Sequence, residues 1–537
     1  MSAVKATHSA YLHSGISVRN NTADSWWRDR SLRGLMWRCV ILLGGQYING
    51  YDGAVMSSLL TVPSFLSDMG NPDSHTLGLM TGGISLGYLV GLIPASISSD
   101  KFGRKRPAMF GCVFIILGTL IEVFKYDNHW AFFAGRMVVG FGGAFPIIAG
   151  SSHVIEVAHP RHATALSAAF SNVYAVGAIV ASWTTFGCLY WYGTNWNWRL
   201  PALGQALGGL VQLIAMPFIP ESPRWLVSVD RADEAHELLA KWHANGDMDD
   251  ELVLLELAEI HEAVRITKLH NTQYRWSDWL KTKGNRHRLF IVIFNAIISQ
   301  WAGTGIITSY LSLILESIGI TSSVQRQGIN GGINLAVLAY CIPLSIYMKN
   351  FSRRALWLGS TVWMIICFSI VTGCSAAYAN TGNVQAGRVV VAFIYLFDLG
   401  YHTAYGALYY AYMCPLLPTS MRTQGVAISL VVGYAMAFFN QYANPIAFAA
   451  IKWKYYLVYL GLLFLYLVLI YYFFPETKGL SPEESSVLLD GEEAAAQVKQ
   501  AGEAVTEGQK QHAEGVSALD ADKEVVAETR VTTLNVV

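Results

Sequence analysis

The run Ile48–Leu60, INGYDGAVMSSLL, places one carboxylate, Asp52, inside an otherwise apolar stretch. Which medium surrounds that stretch decides the fold. Of the 537 residues, 53% are apolar and only 14% are charged, and the mean hydropathy is +0.35. Soluble globular chains carry about 25% charged residues, so the deficit points to lipid as the solvent. A bilayer core takes about 20 consecutive, mostly apolar residues per helix. Twelve such runs stand near 36–60, 77–98, 107–125, 131–155, 165–190, 200–219, 289–315, 327–348, 355–377, 387–413, 424–446 and 455–474. The expected fold is all-α, a twelve-span transmembrane helical bundle. A large soluble core is the competing reading, and twelve long runs with mostly short polar gaps speak against it.

Positive charge in short loops sets orientation. The gap SDKFGRKRP holds Lys101, Arg104, Lys105 and Arg106, and KNFSRRA holds Lys349, Arg353 and Arg354. The gap after the first span, TVPSFLSDMGNPDSHT, has no Lys or Arg. Both termini are therefore expected in the cytoplasm, with Lys452 and Lys454 as the exception to the bias. The sequon at Asn20 then lies inside, and no glycan is expected there. Seven scattered cysteines at or near the spans give neither a disulfide framework nor a metal spacing. Net charge is zero, so nothing attracts nucleic acid in bulk. The first residues lack the pattern of a removable signal.

Short stretches recur about 250 residues apart: DKFGRKR (100–106) with KNFSRRA (349–355), and PESPR (220–224) with PETKG (475–479). A weaker pair is EVAHPRH (156–162) with PLLPTSMR (415–422). Duplicated halves with a site between them at mid-membrane are a common plan for secondary transporters. The expected organisation is a cytoplasmic N-terminal segment (1–35), a six-helix bundle (36–219) and a cytoplasmic linker with amphipathic helices (220–288). A second six-helix bundle (289–474) and an acidic cytoplasmic tail (475–537) follow. Beyond Ser481 the tail carries twelve acidic against four basic residues, which predicts disorder or a loose helix.

At these residues the chain resembles the sugar porter family of the major facilitator superfamily. GYDGAV, DKFGRKR, AGRMVVGFG, PESPRWL and PETKG occur in the family's order and spacing, over roughly residues 36–480. The stretches ESPRWLVSVDRADEAHELLAKWHANGD and FNQYANPIAF resemble fungal members related to lactose and cellodextrin permeases. The resemblance implies the major facilitator fold, alternating access and a carbohydrate substrate. It also implies that Asp52 pairs with Arg136 of the fourth span and takes the proton in symport. The physics suits that role, because burial favours a neutral acid and a guanidinium favours its anion. A purely structural ion pair is the bland alternative. Facilitative fungal members keep this Asp as well, so uniport and nutrient sensing stay open.

DKFGRKR looks like the family's cytoplasmic gate. Asp100 is expected against a helix N-terminus, Gly103 in a tight turn, and Arg104 on Glu156 and Glu221, with Arg224 nearby. The second copy departs from the pattern at Lys349 and Ser352, and Ala163 and Pro415 replace the usual Arg and Glu. Its gate is expected to rest on Arg353, Arg354, Arg422 and Glu476.

A polyhydroxylated ligand needs neutral amides, hydroxyls and aromatic faces. Gln300, Trp301 and Tyr310 in SQWAGTGIITSYL match the family's sugar-contacting positions, and Gly303 and Gly305 make that helix breakable. Asn172 and Tyr174, Tyr409 or Tyr410, and Asn440, Gln441 and Asn444 complete the candidates. Each also reads as an interhelical hydrogen bond or an interfacial aromatic. Drift at Thr304–Gly305 and the missing tryptophan of span ten leave a polyol, an organic acid or a secondary metabolite as other substrates. His153, Glu316 and Asp398 read as satisfied packing groups. No phosphate loop, zinc pattern or nucleophile elbow appears. No enzyme activity and no cofactor are expected; the partners are a small-molecule substrate, a proton and the lipid bilayer, with the chain a monomer.

Overall fold

The computed structural model describes residues 8–11, 17–23, 25–124, 128–191, 193–273, 276–480, 484–485 and 488–490. Among the described residues, ten helical stretches are long and apolar enough to cross a membrane. The last, Met421–Phe473, turns back at Lys452 and so contains two spans, Thr419–Ile451 and Tyr455–Phe473. Another span comprises Arg30–Leu42 and Gly44–Leu59, which meet at Leu43. The bundle therefore has twelve spans.

Spans two to six are Ser74–Phe102, Lys105–Phe124, His129–Val157, Pro160–Cys188 and Trp196–Ala215. Span seven is broken into Lys283–Trp301 and Thr304–Ser317, where Gly303 takes φ +99°, a left-handed conformation that glycine adopts without strain. Spans eight and nine are Ser323–Tyr347 and Arg353–Thr381. Span ten, Val384–Tyr401, widens into a π turn at His402–Gly406 before Tyr409–Met413. The first and seventh spans start earlier than their apolar runs, at Arg30 and Lys283, because capped first turns carry charge that a hydropathy pattern ends on. Asp29 accepts from the amides of Ser31 and Leu32, and Thr282 from that of Asn285.

With no water to drive them together, membrane helices associate by close packing of small residues. Spans one and five show this reciprocally. A Cβ on Gly50 would lie 1.9 Å from the Tyr174 carbonyl oxygen, and one on Gly177 would lie 2.1 Å from that of Tyr47.

Among the described residues, the two six-helix halves meet at the end opposite the basic loops. Span two packs on span eleven, span five on span eight, and span one on the second part of span seven. Thr61 donates to the Gln327 side chain at 3.1 Å, Ser312 to the Leu60 carbonyl at 3.2 Å, and Gln327 to the Ser182 carbonyl at 2.7 Å. Asn330 reaches Ser58 and Asn334 reaches Ser182. Deeper in, Ser85 donates to Gln441 at 2.8 Å, and Tyr88 stacks on Tyr434 with centroids 4.9 Å apart. All these contacts lie towards the end opposite the basic loops. Among the described residues, no hydrogen bond or ion pair joins the halves at the basic-loop end.

The linker forms helices Pro223–Ser228, Ala232–His243, Glu251–Gln273 and Asp278–Lys281. It docks on the first half through fully buried His243, whose ring meets Glu256 at 2.7 Å and the Val157 carbonyl at 3.2 Å. Asn20 is buried, and its amide donates to the His243 carbonyl at 2.9 Å, so the sequon nitrogen is already engaged. Most of the acidic tail lies outside the described residues. Within them, Asp490 makes a two-pronged contact with buried Arg288, at 2.8 and 2.5 Å.

The glycine contacts make a stability prediction. Gly177→Val forces spans one and five apart and lowers the melting temperature of purified protein by several degrees, since overpacking costs about 1–3 kcal/mol. Gly187→Val, where a Cβ meets nothing within 4 Å, leaves it unchanged in the same thermal-shift assay.

Candidate transport site

Asp52, Arg136 and two residues unremarked in the sequence, Glu122 and Gln205, form one cluster inside the first half. Spans one, four, three and six supply them in that order, and every member is at most 2% exposed. The guanidinium of Arg136 does not clasp the Asp52 carboxyl. It donates to the Asp52 backbone carbonyl at 3.4 and 3.5 Å and to the Gln205 side-chain oxygen at 3.2 Å. Gln205 then donates from Nε2 to Glu122 at 2.9 Å. Among the described residues, both carboxyl oxygens of Asp52, one of Glu122, and Nε of Arg136 have no hydrogen-bond partner. The expected neighbours are neighbours, but the ion pair is open in this state. Glu122 was hidden because one acid in LGTLIEVF does not break an apolar run; its position inside that run was the available signal.

The candidate substrate residues divide by what their polar atoms already do. Gln300 and Asn172 are half-buried, and their side-chain amides are unengaged among the described residues. Tyr174 and Tyr410 are 37% and 46% exposed although protein surrounds them, which sets them on an internal cleft. Tyr174 lies within electrostatic reach of Asp52 in one half and Asp398 in the other. Its hydroxyl covers Gly53, where a Cβ would stand 2.7 Å away. Trp301, half-buried, donates to the Met436 carbonyl at 3.2 Å.

Two candidates are committed elsewhere. Tyr310, 1% exposed, donates to the Gln441 carbonyl at 2.6 Å and so belongs to the contact between spans seven and eleven. Asn440, 2% exposed, binds the Gln300 carbonyl, Tyr459 and Asn444, and a Cβ on Gly305 would come within 2.3 Å of it. It holds the break in span seven against span eleven. Asp398 is buried and accepts from Thr304 at 3.1 Å; Glu316 pairs with Arg326, and His153 with the Pro220 carbonyl.

The basic loops share one device. Glu221 accepts from the backbone amides of Arg104 and Lys105, at 3.0 and 3.4 Å. Glu476 accepts from those of Arg353 and Arg354, at 3.2 and 3.3 Å. Each carboxylate, from the segment after the last span of its half, caps the helix that follows the loop, where free amides and the helix dipole favour an anion. A Cβ on Gly103, whose φ is +87°, would stand 2.6 Å from Glu221. Arg104 forks onto Glu156 at 3.2 Å twice and reaches Asp100 at 3.1 Å. Asp100 is largely exposed and sits on its own helix rather than at another's N-terminus. Arg224 meets Thr267 in the linker. In the second half Arg353, Arg354 and Arg422 bind carbonyls, of Ala411, Tyr471 and Cys414. Burial pushes the Glu476 carboxyl up, but the Ser352 hydroxyl and the amides of Lys478, Thr477 and Arg354 outweigh it and hold it below its ordinary value.

The family model described as "Sugar (and other) transporter" matches residues 37–489. The chain belongs to the sugar porter family of the major facilitator superfamily. This sugar porter is 25% identical to the MFS-type transporter criB of Aspergillus cristatus, over 85% of this chain and 94% of that one. It is 26% identical to a high-affinity glucose transporter of Kluyveromyces lactis, over 81% of each. Its fold matches the inward-open xylose transporter XylE of E. coli with a TM-score of 0.70, at 16% identity over 84% and 99% of the two chains. The same fold bound to 6-bromo-6-deoxy-D-glucose, described as a proton:xylose symporter, gives 0.67 at 17% identity over 85% and 99%. The sugar porter family consists of transporters, and this member is a multi-pass membrane transporter rather than an enzyme.

Two outcomes follow from this geometry. Gln300→Ala raises the KM for uptake about tenfold with little change in melting temperature, whereas Asn440→Ala lowers the melting temperature as well. The second concerns the cap. Because the folded carboxyl of Glu476 is held low, its contribution is full above the unfolded value, about 4.3, and is lost as pH falls through the folded one. Wild type should therefore melt a few degrees above Glu476→Gln at pH 7, and the gap should close in acid.

Proposed function

We propose that this sugar porter carries a mono- or disaccharide across the membrane by alternating access, with a proton as co-substrate taken up on Asp52. The observation that carries the reading is a sealed acid–guanidinium cluster inside a bundle whose halves touch at the end opposite the basic loops. Loop charge supports placing the basic-loop end, both termini and the linker in the cytoplasm, most simply at the plasma membrane. The arrangement is then inward-facing. The substrate enters the cleft between Asn172 and Tyr174 on one side and Gln300, Trp301 and Tyr410 on the other. Neutral amides and phenols suit hydroxyl-rich ligands, since they lose little when the site empties.

Coupling follows from the open ion pair. A protonated Asp52 no longer attracts Arg136, so the guanidinium turns to Gln205 and the bundle is free to rock. An ionised Asp52 draws it back. A proton entering down the membrane potential gains about 2.3 kcal/mol per 100 mV, more than tenfold in substrate accumulation. At the basic loops, Arg104 with Glu156 and the twin capping carboxylates form the cytoplasmic gate, which closes in the outward-facing state. The chain acts as a monomer, each bundle pair containing one complete cleft.

A second reading has its own observation. In the second half Asp398 and His402 lie within electrostatic reach of each other, beside Tyr401 and facing Tyr174 of the first half. An ionisable pair there favours a cargo with an ionisable group, an organic acid rather than a neutral sugar or polyol. Uptake of labelled sugars, polyols and organic acids by cells expressing the protein separates the two. Accumulation should collapse with a protonophore, be lost in Asp52→Asn, and fall at least tenfold in Arg136→Ala. Undiminished concentrative uptake by Asp52→Asn would remove the proton role, and equilibrative uptake by wild type would make the protein a uniporter.

A further inference from the structure

Asp52 and Glu122 lie within electrostatic reach of each other, and Arg136 is the one cation their cluster contains. Two ionised carboxyls against one guanidinium leave a net buried negative charge, which favours the uptake of one proton. The donors are unequally shared. Glu122 accepts the Gln205 amide at 2.9 Å, and the oxygen of that same amide accepts Arg136 at 3.2 Å. The amide thus stands with its negative end on the cation and its positive end on the acid. Among the described residues, Asp52 receives no donor at either oxygen. The other ionisable side chains in reach are the phenols Tyr47, Tyr51, Tyr88 and Tyr174, on spans one, two and five, which are neutral at physiological pH. Span six contributes only the uncharged Gln205.

The geometry points to Glu122 as the alternate counter-ion of Arg136, holding the guanidinium through the Gln205 bridge while Asp52 carries the proton. The inference rests on the proton-symport reading for its purpose but not for its chemistry. Protonation of Asp52 removes the anion nearest Arg136. A chain without Glu122 would then strand a buried cation, and that cost would oppose proton uptake. With Glu122 present, the loaded cluster is Asp52-H, Glu122 carboxylate and Arg136 cation, which sums to zero. The unloaded cluster carries one negative charge. The substrate-loaded bundle therefore rocks as a neutral unit, and the empty one returns with a negative charge that an inside-negative potential drives outward. Glu122 is a positioning residue: it touches neither substrate nor the transported proton.

The test is infrared titration of the full-length protein in detergent, following the neutral-carboxyl stretch. In wild type the cluster should show one such band, absent in Asp52→Asn. In Glu122→Gln the midpoint of the Asp52 band should move to lower pH by about one unit, a tenfold loss of proton affinity. The double variant Glu122→Gln with Gln205→Glu, which returns an acid to the cluster from the neighbouring span, should restore it. A structural role alone would not move the midpoint or recover it. An unchanged midpoint in Glu122→Gln, or no recovery in the double variant, overturns the proposal. If Glu122→Gln does not fold, the band assignment decides: a neutral-carboxyl band that persists in Asp52→Asn places the proton on Glu122 and overturns it equally. Proton-independent uptake by wild type would defeat the symport reading alone and leave these titrations in force.

Discussion

A guanidinium is always charged at any pH the protein meets, and Arg136 sits among four spans with almost none of its surface open. Everything in the first half is arranged around keeping that charge satisfied. One neighbour offers a backbone carbonyl, another an amide oxygen, and the third an acid reached only through that amide. An isolated cation at such a depth costs at least a few kcal/mol, and simulations put it higher. No single helix can meet that cost. The four spans must hold their register for the cluster to exist, which ties the electrostatics of the half to the close helix contacts at Gly50 and Gly177.

The same dependence explains why the second half looks different. Its buried acid, Asp398, has a hydroxyl partner in Thr304 and lies in a helix that widens into a π turn. Span seven of that half is interrupted too, at Gly303.

Much of the fold was legible in the sequence, because lipid imposes a simple requirement: a run of apolar residues long enough to cross. The twelve runs, the breakable seventh span and the paired basic loops follow from that requirement and from the family's motifs. The helix starts at Arg30 and Lys283 were not legible, since charged first turns beyond the hydrocarbon carry no hydropathy signal. Nor was the difference between Gln300 and Asn440. Both are amides in polar surroundings, and only coordinates tell which has its hydrogen bonds already spent on the protein. Glu122 and Gln205 escaped for a related reason. A lone polar residue in an apolar run is ambiguous until its neighbours on other helices are known, and those neighbours are 69 and 83 positions away along the chain.

The contacts that shut the end opposite the basic loops are made by hydroxyls and carboxamides: Ser58, Thr61, Ser182, Gln327, Asn330 and Asn334. One cation stands beside them: Arg326 donates to Ser312, which bridges to the Leu60 carbonyl, and pairs with Glu316. Water can replace each such bond with little net change in free energy, so the closure behaves as a latch wetted open one bond at a time. The opposite mouth holds Arg104 against Glu156, a mostly buried pair that salt screens less than an exposed one. The two mouths of the carrier thus rest on different bonds, mainly neutral hydroxyls and amides at one and a buried charge pair at the other.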